Sequence, residues 1–207
     1  MVATQNYQYA SAESAWADGY LAHRIIRRLQ SNRAIRRVLD AGCGNGSLTA
    51  RLAAQGFEMC GFDTSISGVE HARQAFPGLR FEVASGYDDL RARFGEPFDA
   101  CVCVEVVEHL YDPRQFVHRV AEVLRPGGWL IVTTPYHGYL KNLSLALMGK
   151  MDAHYTALWD GGHIKFWSRT TLTALVEERG FREVRFEGAG RLPFVWKSMI
   201  LTAQKVS

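Results

Sequence analysis

Two short stretches hold residues whose types and spacing can do chemistry. In "VLDAGCGNG" (38–46), Gly42, Gly44 and Gly46 stand two apart, directly after an apolar run that ends in Asp40. Glycines so placed let a ligand lie against bare backbone, and the free amides of a following helix attract an anion. At the end of a first strand this marks a nucleotide-type site. The dinucleotide fingerprint GxGxxG needs a glycine where Ser47 stands, and a carboxylate at Asp40 repels a pyrophosphate while suiting a cationic ligand. Asp63, about twenty residues on, sits where a carboxylate can accept both hydroxyls of a ribose. Its competing role is to cap the helix opening in "DTSIS". In the second stretch, "EVVEH", Glu105, Glu108 and His109 fall at i, i+3 and i+4. If a helix forms there, all three share one face.

The elements that must position these residues are legible as an alternation. Runs of β-type residues, "RVLD" (37–40), "EMCGFD" (58–63), "LRFEVA" (79–84), "FDACVCVE" (98–105) and "WLIVTT" (129–134), alternate with helix-type segments. Such alternation predicts a parallel sheet with helices on both faces. One helix begins near Ser47 and stops at Gly56, and another follows "DTSIS" and stops before Pro77. A third takes Asp112 as cap and Pro113 as first residue, buries Phe116, Val117, Val120 and Leu124, and closes at "RPGG". A last helix from about Ser168 to Arg179, then "FREVRF" and "KSMILTAQ", completes an expected α/β fold: a Rossmann-like, seven-stranded, mostly parallel sheet. The segment 135–163 is too long for a simple connection, and long insertions in compact domains are usually lids or binding loops.

The chain of 207 residues suits one domain with one core, divided as an N-terminal helical cap (1–36), a binding core (37–134), a lid-like insertion (135–163) and a C-terminal helix with strands (164–207). With 47% hydrophobic and 22% charged residues the composition is that of a soluble globular protein. The net charge is only +3, and the basic run from His23 to Arg37 carries six arginines opposite an apolar stripe of Leu21, Ile25, Ile26 and Leu29. That pattern reads as a solvated helix face before it reads as a phosphate-binding surface, so a nucleic-acid partner is not expected. Cys43, Cys60, Cys101 and Cys103 show no CxxC spacing, which fits a reducing cytoplasm. No signal peptide is expected at the start, and the apolar-leaning "YLKNLSLALMGK" falls short of a transmembrane span.

Together, "VLDAGCGNG", "GFD", "FDACVCVEVVEHL" and "LRPGG" resemble the class I S-adenosylmethionine-dependent methyltransferases, in the family's order and over about residues 37–134. The ExxEH segment resembles most the ubiquinone-biosynthesis type of O-methyltransferase. The resemblance implies S-adenosyl-L-methionine as cofactor, leaving as S-adenosyl-L-homocysteine. It implies that Asp40, Gly42, Cys43, Gly44 and Gly46 pack against it, that Asp63 and Thr64 meet its ribose, and that Val104 lies beside it. Many relatives read the adenine with an aspartate after the third strand. Here "VASGYDD" offers Ser85 and Gly86, with Asp88 as substitute.

Some relatives, including small-RNA 2′-O-methyltransferases, hold a divalent metal with ExxEH and a later histidine, here His163. Three readings therefore stand for these residues. His109 or His163 is the general base for an acceptor hydroxyl, the assignment adopted, with no metal in it. Alternatively, Glu105, Glu108, His109 and His163 ligate a divalent cation that acidifies that hydroxyl. In the third, Glu108 and His109 pair and cap a helix away from substrate. His137 is a further candidate.

Aromatic and apolar residues of the insertion, among them Tyr136, Tyr139, Leu143, Leu147, Tyr155, Leu158 and Trp159, are expected to roof a flat hydrophobic acceptor or to pack against a second copy in a homodimer. Tyr7, Tyr9, Trp16 and Tyr20 are expected to close the opposite side. The expected function is methyl transfer to a small-molecule acceptor, a hydroxyl of an aromatic or quinone-like compound. Its rivals are metal-assisted 2′-O-methylation of RNA and a cofactor-binding partner protein without catalysis.

Overall fold

The computed structural model describes residues 16–190 and 192–206, with side chains from Gly19 onward. Tyr7, Tyr9 and the Trp16 side chain lie outside the described residues. The strands are β1 (Arg37–Ala41), β2 (Glu58–Asp63), β3 (Arg80–Val83), β4 (Phe98–Val104), β5 (Leu124–Pro135), β6 (Phe181–Ala189) and β7 (Ser198–Lys205). They form one sheet in the order β3-β2-β1-β4-β5-β7-β6. β7 runs antiparallel to both β5 and β6, and the other pairings are parallel. The strand order reverses between β1 and β4, and sheets of this kind open a crevice beyond the carboxyl ends of the strands at that point. Ala41 and Val104 end the two strands there.

β4 shows why the sheet is held so firmly. Ala100, Cys101, Val102 and Cys103 are all fully buried, so both faces are covered and the strand reads as a continuous apolar run. Cys101 and Cys103 join Phe98, Phe116, Val120 and Leu172 in one core layer. Ala100 and Val102 join Leu21, Ile25, Leu29 and Leu52 in the other. All four cysteines are free and buried. Burial pushes the thiols of Cys101 and Cys103 well up, so they act as small apolar residues.

The helices α1 (Trp16–Gln30), α2 (Ser47–Ala53), α3 (Ile66–Ala75), α5 (Pro113–Val123) and α8 (Arg169–Glu177) stand where the sequence places them. Asp112 Oδ1 accepts from Gln115 N at 2.9 Å ahead of Pro113. α3 is capped by Ser65, whose Oγ accepts from Gly68 N at 3.0 Å, leaving Asp63 outside the cap. α4 (Leu90–Phe94), capped by Asp89, was not legible because five residues carry no periodicity. β5 starts at Leu124, earlier than expected, because pairing with β4 draws "RPGG" into the strand.

The insertion carries α6 (Tyr139–Leu147) and α7 (Met151–Tyr155), neither with a buried residue. Of the residues expected to form a roof, Tyr139, Leu143, Leu147 and Met148 are exposed and Leu158 is 98% exposed, while Trp159 stands edge-on to His109 and His163 at 6.1 and 5.5 Å between ring centroids. Tyr136 turns down onto Phe186 and Trp196, at 6.1 and 5.2 Å between ring centroids. Among the described residues no helix is long and apolar enough to cross a membrane.

Phe98 is fully buried, packs edge-on to Phe94 at 5.6 Å, and lies under the Arg37 guanidinium at 4.5 Å. Phe98→Ala is expected to lower stability by about 3–5 kcal/mol, read as a drop in urea midpoint at unchanged slope.

Candidate functional site

Beyond β1 the chain turns through Gly42, Gly44 and Gly46, all with φ in the left-handed region. The turn is tied down from three sides. Gly42 N and Cys43 N both donate to Phe62 O, at 2.8 and 2.9 Å. Gly44 N donates to Asp63 Oδ2 at 2.8 Å. Asp40, 1% exposed, accepts from the Thr49 hydroxyl at 2.6 Å and so fastens the turn to α2. At Gly46, a Cβ would lie 2.8 Å from both Ala72 Cβ and the Phe81 ring, so neither conformation nor space admits a side chain. Cys43 is buried with its sulfur against Gly61.

Asp63 ends β2, half-buried, with its second oxygen accepting from Ser65 N at 2.8 Å. Burial raises its pKa against the pull of these backbone amides. Thr64 follows, also half-buried. After β3, Ser85 N donates to Asp88 Oδ2 at 3.1 Å and Tyr87 N to Ser85 Oγ at 3.2 Å, closing a tight turn around Gly86. Asp88 also pairs with Arg93 at 2.8 Å, so the expected substitute for an adenine-reading acid is already engaged. Val104 closes β4, half-buried on the same strand-end edge.

The ExxEH segment departs from the expected helix. Only a single 3-10 turn, Val107–His109, forms, and Glu105 takes φ +54°, a left-handed conformation rare outside glycine. The Glu105 carboxylate is held by groups outside the ExxEH segment. Its Oε1 accepts from the Thr133 hydroxyl at 2.9 Å and its Oε2 from the Ser198 hydroxyl at 3.3 Å, while Ser198 and the Tyr20 hydroxyl lie 2.6 Å apart. Burial raises Glu105 to about 7, and the Thr133 and Ser198 hydroxyls hold it back from rising further. Of the four residues named as a ligand set, Glu105 is thus not brought together with the others.

The other three do meet. Glu108, His109 and His163 place one ligand atom each within 4.8 Å of one another. Glu108 Oε1 lies 4.0 Å from His163 Nε2. Glu108 is 1% exposed, and its oxygens make no well-formed hydrogen bond, the Thr134 hydroxyl being a near polar neighbour. Burial drives its pKa well up, with Glu105 adding repulsion. His109 Nδ1 faces the carbonyls of Gly161 and Gly162 at 2.9 and 3.2 Å, which fixes the proton on that nitrogen and leaves Nε2 with a free lone pair. Burial lowers His109, and it lowers His163 to about 4 with help from His109. Both imidazoles are therefore neutral at pH 7.

Docking of the chain after the insertion brings His163 there. Ile164 N and Lys165 N donate to Glu108 O at 2.9 and 3.0 Å, and Trp167 Nε1 donates to Val107 O at 3.3 Å. No spacing in the sequence announces these contacts. His137 is buried at the base of the insertion, beside His154 of α7, a residue that motif reading passed over. Lys141 of α6, lowered to about 8 by burial, approaches the same region through Lys197 O at 3.4 Å.

The seven-stranded sheet has its switch point at the glycine turn, with an acid ending β2 and an acid–imidazole cluster following β4. The chain belongs to the methyltransferase-domain family, whose sequence profile matches residues 14–185. It is 34% identical over 160 residues to a ubiquinone biosynthesis O-methyltransferase of Azorhizobium caulinodans, covering 73% of this chain and 61% of the relative. A protein of the same name from Cereibacter sphaeroides is 32% identical over 179 residues, covering 83% and 70%. The chain spans about two-fifths to two-thirds of the length of most of the curated relatives it matches. In fold it is similar to the methyltransferase domain of bacterial CtHen1-CN, with a TM-score of 0.69 at 24% identity over 91% of this chain and 99% of the other. Magnesium protoporphyrin IX methyltransferase from Synechocystis PCC 6803, solved with bound S-adenosylhomocysteine, has a TM-score of 0.68 at 19% identity over 95% and 90%.

Gly46→Ala forces a side chain into a left-handed position against Phe81. A loss of about 1–3 kcal/mol is expected, visible as a lower midpoint in thermal unfolding.

Proposed function

We propose that this protein transfers the methyl group of S-adenosylmethionine to a hydroxyl oxygen of a small aromatic or quinone-like acceptor. One observation carries the reading: the glycine turn and Asp63 form a nucleoside cradle at the strand ends, and the Glu108–His109–His163 cluster follows β4 at the same edge. In the cradle, bare backbone at 42–46 takes the nucleoside. The Asp63 carboxylate is held by the amides of Gly44, Thr64 and Ser65, and its oxygens have further lone pairs that can accept ribose hydroxyls. Thr64, Ser85, Gly86 and Val104 line the rest. The names of the curated relatives support oxygen as the methylated atom and a quinone-type ring as the acceptor.

Methyl transfer from a sulfonium is an in-line displacement, so the protein has to align the nucleophile, exclude water and remove one proton. A neutral imidazole can take that proton, whereas a phenol keeps it to a pH of about 10. His109, with Nδ1 held by two carbonyls, presents Nε2 as the basic atom, and His163 is neutral beside it.

A buried carboxylate with no well-formed hydrogen bond favours a second reading of the same cluster. Glu108, His109 and His163 fit a divalent cation: one carboxylate and two imidazoles within reach of one another, with the far nitrogen of His109 on backbone carbonyls. A cation held there would act as a Lewis acid on the acceptor hydroxyl. Glu105 stays with Thr133 and Ser198. The RNA rival finds little support in the arginine face, since Arg24, Arg27 and Arg28 converge on Glu187 of β6.

By calorimetry, Asp63→Ala is expected to weaken S-adenosylmethionine binding at least about tenfold, or ~1.4 kcal/mol; unchanged affinity removes the ribose assignment. His109→Ala and His163→Ala are expected to slow turnover about 10²-fold or more while that affinity persists. Full rate in both variants rules the imidazoles out. Activity lost to a chelator and restored by added divalent cation selects the cation reading, and indifference to the chelator selects the imidazole base.

A further inference from the structure

The two imidazoles of the acid–imidazole cluster arrive on stretches far apart in the chain, and each has to keep one ring plane for either chemistry to work. His109 is held at one edge, by the Gly161 and Gly162 carbonyls on Nδ1. His163 meets Glu108 Oε1 only at 4.0 Å, beyond hydrogen-bond reach. The faces of both rings need a further support.

Trp159 supplies it. Its indole stands edge-to-face with His109 at 6.1 Å and 82° between planes, and with His163 at 5.5 Å and 61°, while the two imidazoles meet at 5.0 Å and 69°. Steep contacts of this kind are the arrangement that aromatic rings prefer. The backbone carries the indole there by a short route. Thr156 takes φ +45°, Trp159 N donates to Thr156 O at 2.8 Å, and Gly162 N donates back to Trp159 O at 2.9 Å. A Cβ on residue 162 would lie 2.9 Å from Trp159 O and 3.1 Å from its ring atom Cε3, so the indole rests against the backbone whose carbonyls hold His109. Trp159 is 45% exposed and belongs to neither apolar core of the sheet. Its ring is placed by the cluster.

We propose that Trp159 is a positioning residue for the reaction centre: its indole, seated on the Gly161–Gly162 backbone, fixes the ring planes of His109 and His163 and with them the direction of His109 Nε2. This rests on the reading above, in which the imidazoles serve methyl transfer as base or as cation ligands. An imidazole free to turn presents the wrong nitrogen part of the time, and a misplacement of about 1 Å costs about 10²-fold in rate.

Long-range proton–nitrogen NMR of the imidazoles reads the claim on the resting protein, with no acceptor present. Wild type is expected to show His109 as the Nδ1–H tautomer alone. Trp159→Ala is expected to give a mixture of both His109 tautomers and to lower kcat about 10–100-fold with KM for S-adenosylmethionine unchanged. Trp159→Phe, which keeps an aromatic edge, is expected to restore the single tautomer and to bring kcat to within about threefold of wild type. Gly162→Ala presses on the indole and is expected to mix the tautomers in the same way. A single His109 tautomer in folded Trp159→Ala overturns the assignment; where that variant does not fold, the same result in Gly162→Ala does. A fall in kcat with the tautomer unchanged also overturns it, since the indole then acts on the acceptor and not through the imidazoles. A tautomer shift in a protein that methylates no phenol leaves the positioning role standing and counts against the transfer reading alone.

Discussion

The backbone of residues 42–46 is the constraint from which the rest of the site follows. Its left-handed glycines expose main-chain groups at the strand ends, a conformation that side chains would forbid. It persists because Phe62 O, Asp63 and Asp40 each fix a different part of it. Asp63 therefore has a structural task beside any role toward a ribose. The acid that would read the ribose also holds the turn that cradles it, so ligand binding and local order are coupled through one carboxylate.

Around that fixed cradle the sheet separates two kinds of work. β1, β2 and β4 are buried on both faces and give the cradle its rigidity, and the groups that can handle protons or cations hang on less regular backbone. Glu105 sits in a strained conformation and Glu108 on a one-turn 3-10 helix, while His163 stands on a loop docked by two amides onto Glu108 O. Such groups need a scaffold that over-determines their position, because a buried carboxylate without a well-formed hydrogen bond costs stability unless a ligand completes it. The apolar cores on the two faces of the sheet provide the stability that offsets it.

The sequence by itself determined the cofactor-side architecture. Alternating strands and helices, the cap at Asp112, the start of the last helix near Ser168, the glycine spacing and the acid at 63 are local patterns, and local sterics and periodicity are enough to read them. It did not determine the reaction side. The i, i+3, i+4 spacing of Glu105, Glu108 and His109 suggested one shared face, yet only a single 3-10 turn forms there, and Glu105 bonds instead to Thr133 and Ser198, distant in the chain. The apolar residues of the insertion gave no sign of facing outward, since hydrophobicity alone does not say which surface will be covered. Nor did any motif mark His154 or the Gly161 and Gly162 carbonyls that orient His109. Their meeting depends on a long loop folding back on the strand ends, and contacts across such separations are decided only when the whole sheet and both of its cores are in place.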